Sequence, residues 1–167
     1  TKNENWIAGS DNTIELYKNS EGKLVLKRTF ENNIAHDIYY VYDQYGNQVY
    51  VIPPLVTNVS VQMDGLCYQY KYDRYNRIVE KKVPGKQWEF IVYDKLDRVV
   101  ATGPAFTPFG GNQIGWLISK YDVFNRVVYT AWKEETQITN TERKNLQKDY
   151  NLRVLLNENK TGSNVDN

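Results

Sequence analysis

Short runs rich in β-branched and aromatic residues recur along this chain: Ile38-Tyr39-Tyr40-Val41, Cys67-Tyr68-Gln69-Tyr70-Lys71, Trp88-Glu89-Phe90-Ile91-Val92 and Trp116-Leu117-Ile118-Ser119-Lys120. Bounded by Asp, Asn, Gly and Pro, such runs predict β-strands. Each is followed by Tyr-Asp and then by nearly the same six residues. The Asp anchors are Asp43, Asp73, Asp94 and Asp122, at intervals of 30, 21 and 28 residues, a spacing typical of repeat architectures.

Position by position the unit reads as a hairpin. Tyr42, Tyr72, Tyr93 or Tyr121 closes the incoming strand, and the Asp supplies the short acceptor that a type I turn favours at its first position. Three residues on stand Gly46, Asn76, Asp97 and Asn125, residue types that tolerate the left-handed backbone of a G1 bulge. Between them lies a large apolar residue (Tyr45, Tyr75, Leu96 or Phe124) that is expected to fold back onto the sheet or onto the next repeat. Arg77, Arg98 and Arg126 open the outgoing strands, with Asn47 in the first copy, so an Asp–Arg pair across the turn is expected in the last three. Pro breaks at Ile52-Pro53-Pro54, Val83-Pro84-Gly85 and Gly103-Pro104 predict strand ends or edges.

The flanks are less regular. Residues 1–37 read as a degenerate leading repeat, with Asn19 at the Asp position and Gly22 at the left-handed one. Residues 38–132 hold the four clear hairpins. The segment 55–65 suggests a short strand through Val59 and Val61, and 107–115 a loop insertion. Thr139-Asn140-Thr141-Glu142 matches a capping box and predicts a surface helix near 140–150, with Leu146 and Tyr150 toward the sheet. Leu152–Leu156 reads as a last strand or return crossing, and 157–167 as a flexible polar tail. The fold class expected is all-β, built of tandem antiparallel hairpins.

At 167 residues the chain is long enough for one domain with a core. Fourteen Tyr and four Trp against a single Met suit sheets better than helix bundles. A net charge of +1 with interspersed signs points to no nucleic-acid or membrane partner. The lone Cys67 reads as a small buried hydrophobe. His36 beside Asp37 suggests acid–base chemistry only superficially, because neighbouring strand residues face opposite ways. The repeated Asp residues belong to turns rather than to a carboxylate pair. No metal-ligand spacing and no phosphate-binding loop is present, so neither enzyme activity nor a cofactor is expected. One functional alternative is a carbohydrate-binding or adhesin module whose aromatics, Trp88, Trp116 and Trp132 together with Trp6, stack on sugar rings.

The unit Tyr-Asp-x-aromatic-[Gly/Asn/Asp]-Arg-x-Val resembles the YD repeat of RHS/teneurin-type proteins. The strings from Ala35 to Pro54, Leu66 to Pro104 and Trp116 to Trp132 are similar to the RHS-repeat region of large exported Bacteroidetes proteins. The resemblance spans about Glu4 to Glu158. It implies a β-sheet strip forming part of a spiral shell that encloses a toxin or carries adhesive modules. It also implies a secreted or cell-surface location and, as partners, adjacent repeats of a longer polypeptide or a larger secretion assembly. The chain reads as a fragment of such a polypeptide; a short orphan partner of one is the other expectation. It lacks the core signature that carries self-cleavage in some relatives, so no catalytic residue is carried over.

Overall fold

The computed structural model describes residues 9–158. The chain divides into two compact units, Thr1–Gln87 and Trp88–Asn167. The protein is mostly β, with antiparallel hairpins that pair in sequence order and two helices.

In the first unit, β1 (Ile14–Lys18), β2 (Leu24–Glu31), β3 (Ile34–Tyr42), β4 (Gln48–Ile52), β5 (Tyr68–Tyr72) and β6 (Ile78–Lys82) each pair with the next. The strand through Tyr39 begins earlier than the apolar run suggests. Asn32 and Asn33 both take positive φ (52° and 59°), so β2 turns directly into β3 through a tight two-residue loop that demands left-handed backbone at both positions. The segment between β4 and β5 is a correction. Val59–Leu66 forms helix α1, not a strand through Val59 and Val61. The side-chain oxygen of Gln62 accepts from the main-chain N–H groups of Thr57 and Asn58 at 2.8 and 2.9 Å, closing the first turn. Local bonding of this kind outweighs the weak strand preference of two valines.

No residue of β1–β4 or of α1 is buried. The buried members of this unit, Cys67, Gln69, Val79 and Glu80, all lie at or after the end of α1. Burial pushes the Cys67 thiol pKa up, as expected of an inert, packed cysteine.

The second unit holds β7 (Glu89–Tyr93), β8 (Val99–Phe106), β9 (Ile114–Tyr121), β10 (Val127–Glu135) and α2 (Asn140–Leu152). Here a core exists: Phe90, Val92, Val100, Ala101, Trp116 and Tyr150, with Trp88, Ile118, Tyr121, Ile138 and Leu146 packed around it. Helix α2 starts at the capping box formed by Thr139 and Glu142, and Tyr150 and Leu146 face the core as its spacing predicts. Burying side chains of this size is the main source of stability, at about 1.5–3 kcal/mol each.

Gly103-Pro104 does not end its strand. β8 runs through it, and the register steps from Thr102 opposite Leu117 to Ala105 opposite Gly115. Two residues therefore oppose the single Trp116, and the donor-less Pro104 sits inside a bulge, where a missing N–H costs least. Gly103 is bare for a second reason: a Cβ there would lie 2.9 Å from the Trp116 ring. The last sequence-predicted strand is also corrected. α2 continues to Leu152, and residues 153–157 make only one isolated parallel bridge, Asn157 to Tyr121.

Candidate functional site: the ladder of turns

The turns are the feature that repeats. In the hairpin loops at 43–47, 73–77, 94–98 and 122–126, the Asp main-chain N–H donates to the carbonyl four residues on, and the residue three on donates back to the Asp carbonyl. The Asp Oδ1 accepts two further N–H groups, from the residues two and four ahead, at 2.8–3.1 Å in every copy. The leading repeat follows the same scheme, with Asn19 Oδ1 accepting from Glu21 and Lys23 at 3.0 and 2.9 Å. Gly22, Gly46, Asn76, Asp97 and Asn125 take φ between 59° and 82°, the left-handed residue each turn requires.

The second carboxylate oxygen makes the brace. Arg77 Nε, Arg98 Nε and Arg126 Nε donate to Oδ2 of Asp73, Asp94 and Asp122 at 2.8, 2.7 and 2.7 Å, and Asn47 Nδ2 replaces them at 3.2 Å in the first copy. These contacts set the carboxyl pKa values. Burial alone raises that of Asp73, but the Arg77 side chain and the main-chain N–H groups of Arg77 and Tyr75 outweigh it, and the net direction is down. For Asp122 the main-chain N–H of Arg126 is the largest influence, and it too is lowered. Asp43 is lowered as well: burial opposes, and the bonds from Asn47, Tyr45 and Gly46 prevail.

The apolar residue of each turn does not fold inward. Tyr45, Tyr75, Leu96 and Phe124 are 72, 60, 52 and 74 % exposed, which corrects the expectation. Guanidinium groups account for two of them. Arg74 and Arg77 lie 4.7 and 5.0 Å from the Tyr75 ring centre, and Arg126 lies 5.2 Å from that of Phe124. These are cation–π contacts that stiffen the Arg brace.

Two links between successive turns have no trace in the repeat unit itself. First, within each unit the motif tyrosine latches a hairpin to its predecessor. Tyr42 Oη donates to the Leu24 carbonyl (2.9 Å), Tyr72 Oη to Gln48 (2.9 Å) and Tyr121 Oη to Val99 (2.7 Å). Each acceptor is the residue five after the preceding turn's Asn or Asp. Second, the side chain four after that anchor reaches the left-handed residue of the following turn. Asn47 Nδ2 donates to Asn76 Oδ1 at 2.9 Å, and Arg98 Nη1 to Asn125 Oδ1 at 3.1 Å. Lys23 extends over Gly46 so closely that a Cβ there would clash with its Nζ.

Arg98 does more than its counterparts. Its guanidinium also donates to the Asp122 and Leu156 carbonyls and to Asn157 Oδ1, at 3.3, 2.8 and 2.9 Å. With Lys95 bonding the Arg153 carbonyl and Lys120 the Glu158 carboxylate, it ties residues 153–158 across the turn as a strap. Gln147 on α2 is another residue the sequence did not mark. Its amide accepts from the Tyr93 N–H at 3.0 Å and donates to the Tyr93 carbonyl at 2.7 Å, as a neighbouring strand would.

The other candidates separate clearly. Trp116 is 1 % exposed in the core and so presents no ring for stacking, while Trp88 is half-buried against that core. Trp132 is half-buried and donates its indole N–H to the Ala105 carbonyl; Trp6 lies outside the described residues. Asp37 is held by a two-point contact with Arg28 (2.7 and 2.8 Å), not by the adjacent His36. Among the described residues, no group of three His, Cys, Asp or Glu is placed to hold a metal ion, and no helix is long and apolar enough to cross a membrane. A cleft of about 380 Å³ lies between loops 43–47 and 73–77 and is lined by Tyr45, Tyr50, Tyr70 and Tyr72 beside Asp43 and Asp73. No family model and no curated protein matches this chain.

Proposed function

We propose that the chain is a structural, non-enzymatic repeat segment of the YD/RHS type: part of a β-sheet strip in a larger secreted or cell-surface bacterial protein, walling in or displaying a toxin or adhesive module. The observation that carries this reading is one hydrogen-bonding scheme repeated in five turns, with tyrosine latches joining successive hairpins within each unit. Its polar groups are consumed in holding the turns, which is what a wall needs and what a reaction centre does not. The unburied strands β1–β4 support it further, because a sheet face is stabilised by a second layer or a neighbour. Identity of the enclosed module, secretion and cell-surface location rest on the sequence resemblance.

Calorimetry of the isolated chain tests the proposal. A broad, multi-step melt is expected, since β1–β4 bury no residue. A monomer with a single sharp transition counts against a segment that depends on neighbours.

The tyrosine-lined cleft favours a second reading, a glycan-binding module, because aromatic rings beside carboxylates suit sugar faces and hydroxyls. It predicts a glycan-array response that Tyr45→Ala and Tyr70→Ala abolish. Silence across the array removes it.

A further inference from the structure

The links between turns amount to a recognition rule, and the last hairpin carries its unused half. At each observed junction three things coincide. The incoming tyrosine donates to the carbonyl five after the previous anchor, at Leu24, Gln48 or Val99. The residue three before that tyrosine pairs two residues beyond the acceptor: Tyr39 with Leu26, Gln69 with Tyr50, and Ile118 with Ala101. The side chain four after the anchor then meets the left-handed residue of the new turn, as Lys23 meets Gly46, Asn47 meets Asn76 and Arg98 meets Asn125.

After the turn at 122–126 the same parts stand without a following hairpin. β10 pairs with β9 alone among the described strands. The acceptor position is Val127 and the pairing position is Tyr129, both exposed. Arg126, whose Nε grips Asp122 as Arg98 grips Asp94, keeps a 72 % exposed side chain, whereas Arg98 is nearly buried by the turn and strap it engages.

We infer that the β10 edge is a docking surface for one further β-hairpin with a tyrosine before its turn and Asn or Asp at the left-handed position. In that complex the tyrosine hydroxyl bonds the Val127 carbonyl, the residue three before it pairs with Tyr129, and the Asn or Asp oxygen accepts from Arg126. The leading edge of a second copy of this chain does not fit. Its first turn has Lys18 where the tyrosine belongs and Gly22 at the left-handed position, so it offers neither a hydroxyl nor an acceptor. This inference rests on the wall-segment reading and adds the chemistry of the neighbour.

A head-to-tail cyclised peptide with the sequence of residues 68–82, which contains Tyr72 and Asn76, is a suitable probe once its own NMR spectrum shows a hairpin. Titrated into the ¹⁵N-labelled full chain, it is expected to shift the amides of residues 127–131. Tyr72→Phe in the peptide is expected to weaken binding about fivefold, the loss of one neutral hydrogen bond. Asn76→Gly is expected to weaken it at least as much, and this second loss disappears against the Arg126→Ala chain, whose spectrum elsewhere is unchanged. A folded peptide that leaves β10 unperturbed overturns the docking surface. Equal binding by the Phe and Gly peptides overturns the rule while leaving the wall-segment reading intact. Concentration-dependent head-to-tail association of the chain, abolished by Arg126→Ala, overturns the exclusion of its own leading edge.

Discussion

The motif aspartate is a small hub, and its ionisation has consequences. Asp43, Asp73 and Asp122 all have lowered pKa values in the fold, so the stability they contribute is present above the unfolded value of about 3.9 and is lost as pH falls through the folded values. Melting temperature is therefore expected to drop below about pH 4. Asp73→Asn, which keeps an acceptor for the turn but loses the ion pair, flattens that drop; an unchanged acid limb contradicts the assignment. The tyrosine latch makes a separate forecast. Tyr72→Phe removes only a hydroxyl and should cost about 1 kcal/mol in denaturant unfolding. The turns were legible in the sequence because Asp and Gly/Asn stand at fixed offsets with a local mechanism. The latch was not, because its acceptor is a main-chain carbonyl 18–24 residues upstream, and a carbonyl leaves no mark on residue type. Tyr45, Tyr75, Leu96 and Phe124 misled for a related reason: large size in a turn suggested burial, whereas Tyr75 and Phe124 lie beside neighbouring guanidinium groups.

At the level of elements, strand type followed from composition and helix α2 from its capping box, while α1 and the strap did not. Nothing in residues 55–65 has helical periodicity strong enough to overrule Val59 and Val61; the helix depends on Gln62 folding back on its own first turn. The strap depends on Arg98, a residue that reads as a repeat-unit brace and turns out to bind four further acceptors. Arg98→Ala leaves Asp94 buried without its partner, and losses of this kind cost about 3–5 kcal/mol. The same change should speed limited proteolysis within residues 153–158; cleavage at the wild-type rate in a still-folded variant contradicts the strap assignment. Gln147 joins α2 to β7 through both main-chain groups of Tyr93. Gln147→Ala removes both bonds, and a loss of about 1–3 kcal/mol is expected.

Across the molecule, burial is uneven. The buried aromatic and aliphatic residues gather in the second unit around Trp116, whereas β1–β4 bury none. Native-state hydrogen exchange should therefore show the slowest amides in β7–β9 and the fastest strand amides in β1 and β2; uniform protection contradicts this. Periodicity alone could not reveal the imbalance, because β1–β4 carry nearly as many apolar residues as β7–β10. The tyrosine latch has one more consequence, for how such an array tolerates change. Its three acceptors are Leu24, Gln48 and Val99, two aliphatic residues and an amide, and only the peptide carbonyl is shared by all three. Those positions are thus free to drift without loosening the joint, while the tyrosine is not. A saturation library scored for folding should show broad acceptance at position 48 and a narrow one at position 72. In this way neighbouring hairpins could diverge in sequence over long spans and remain joined by the same bond.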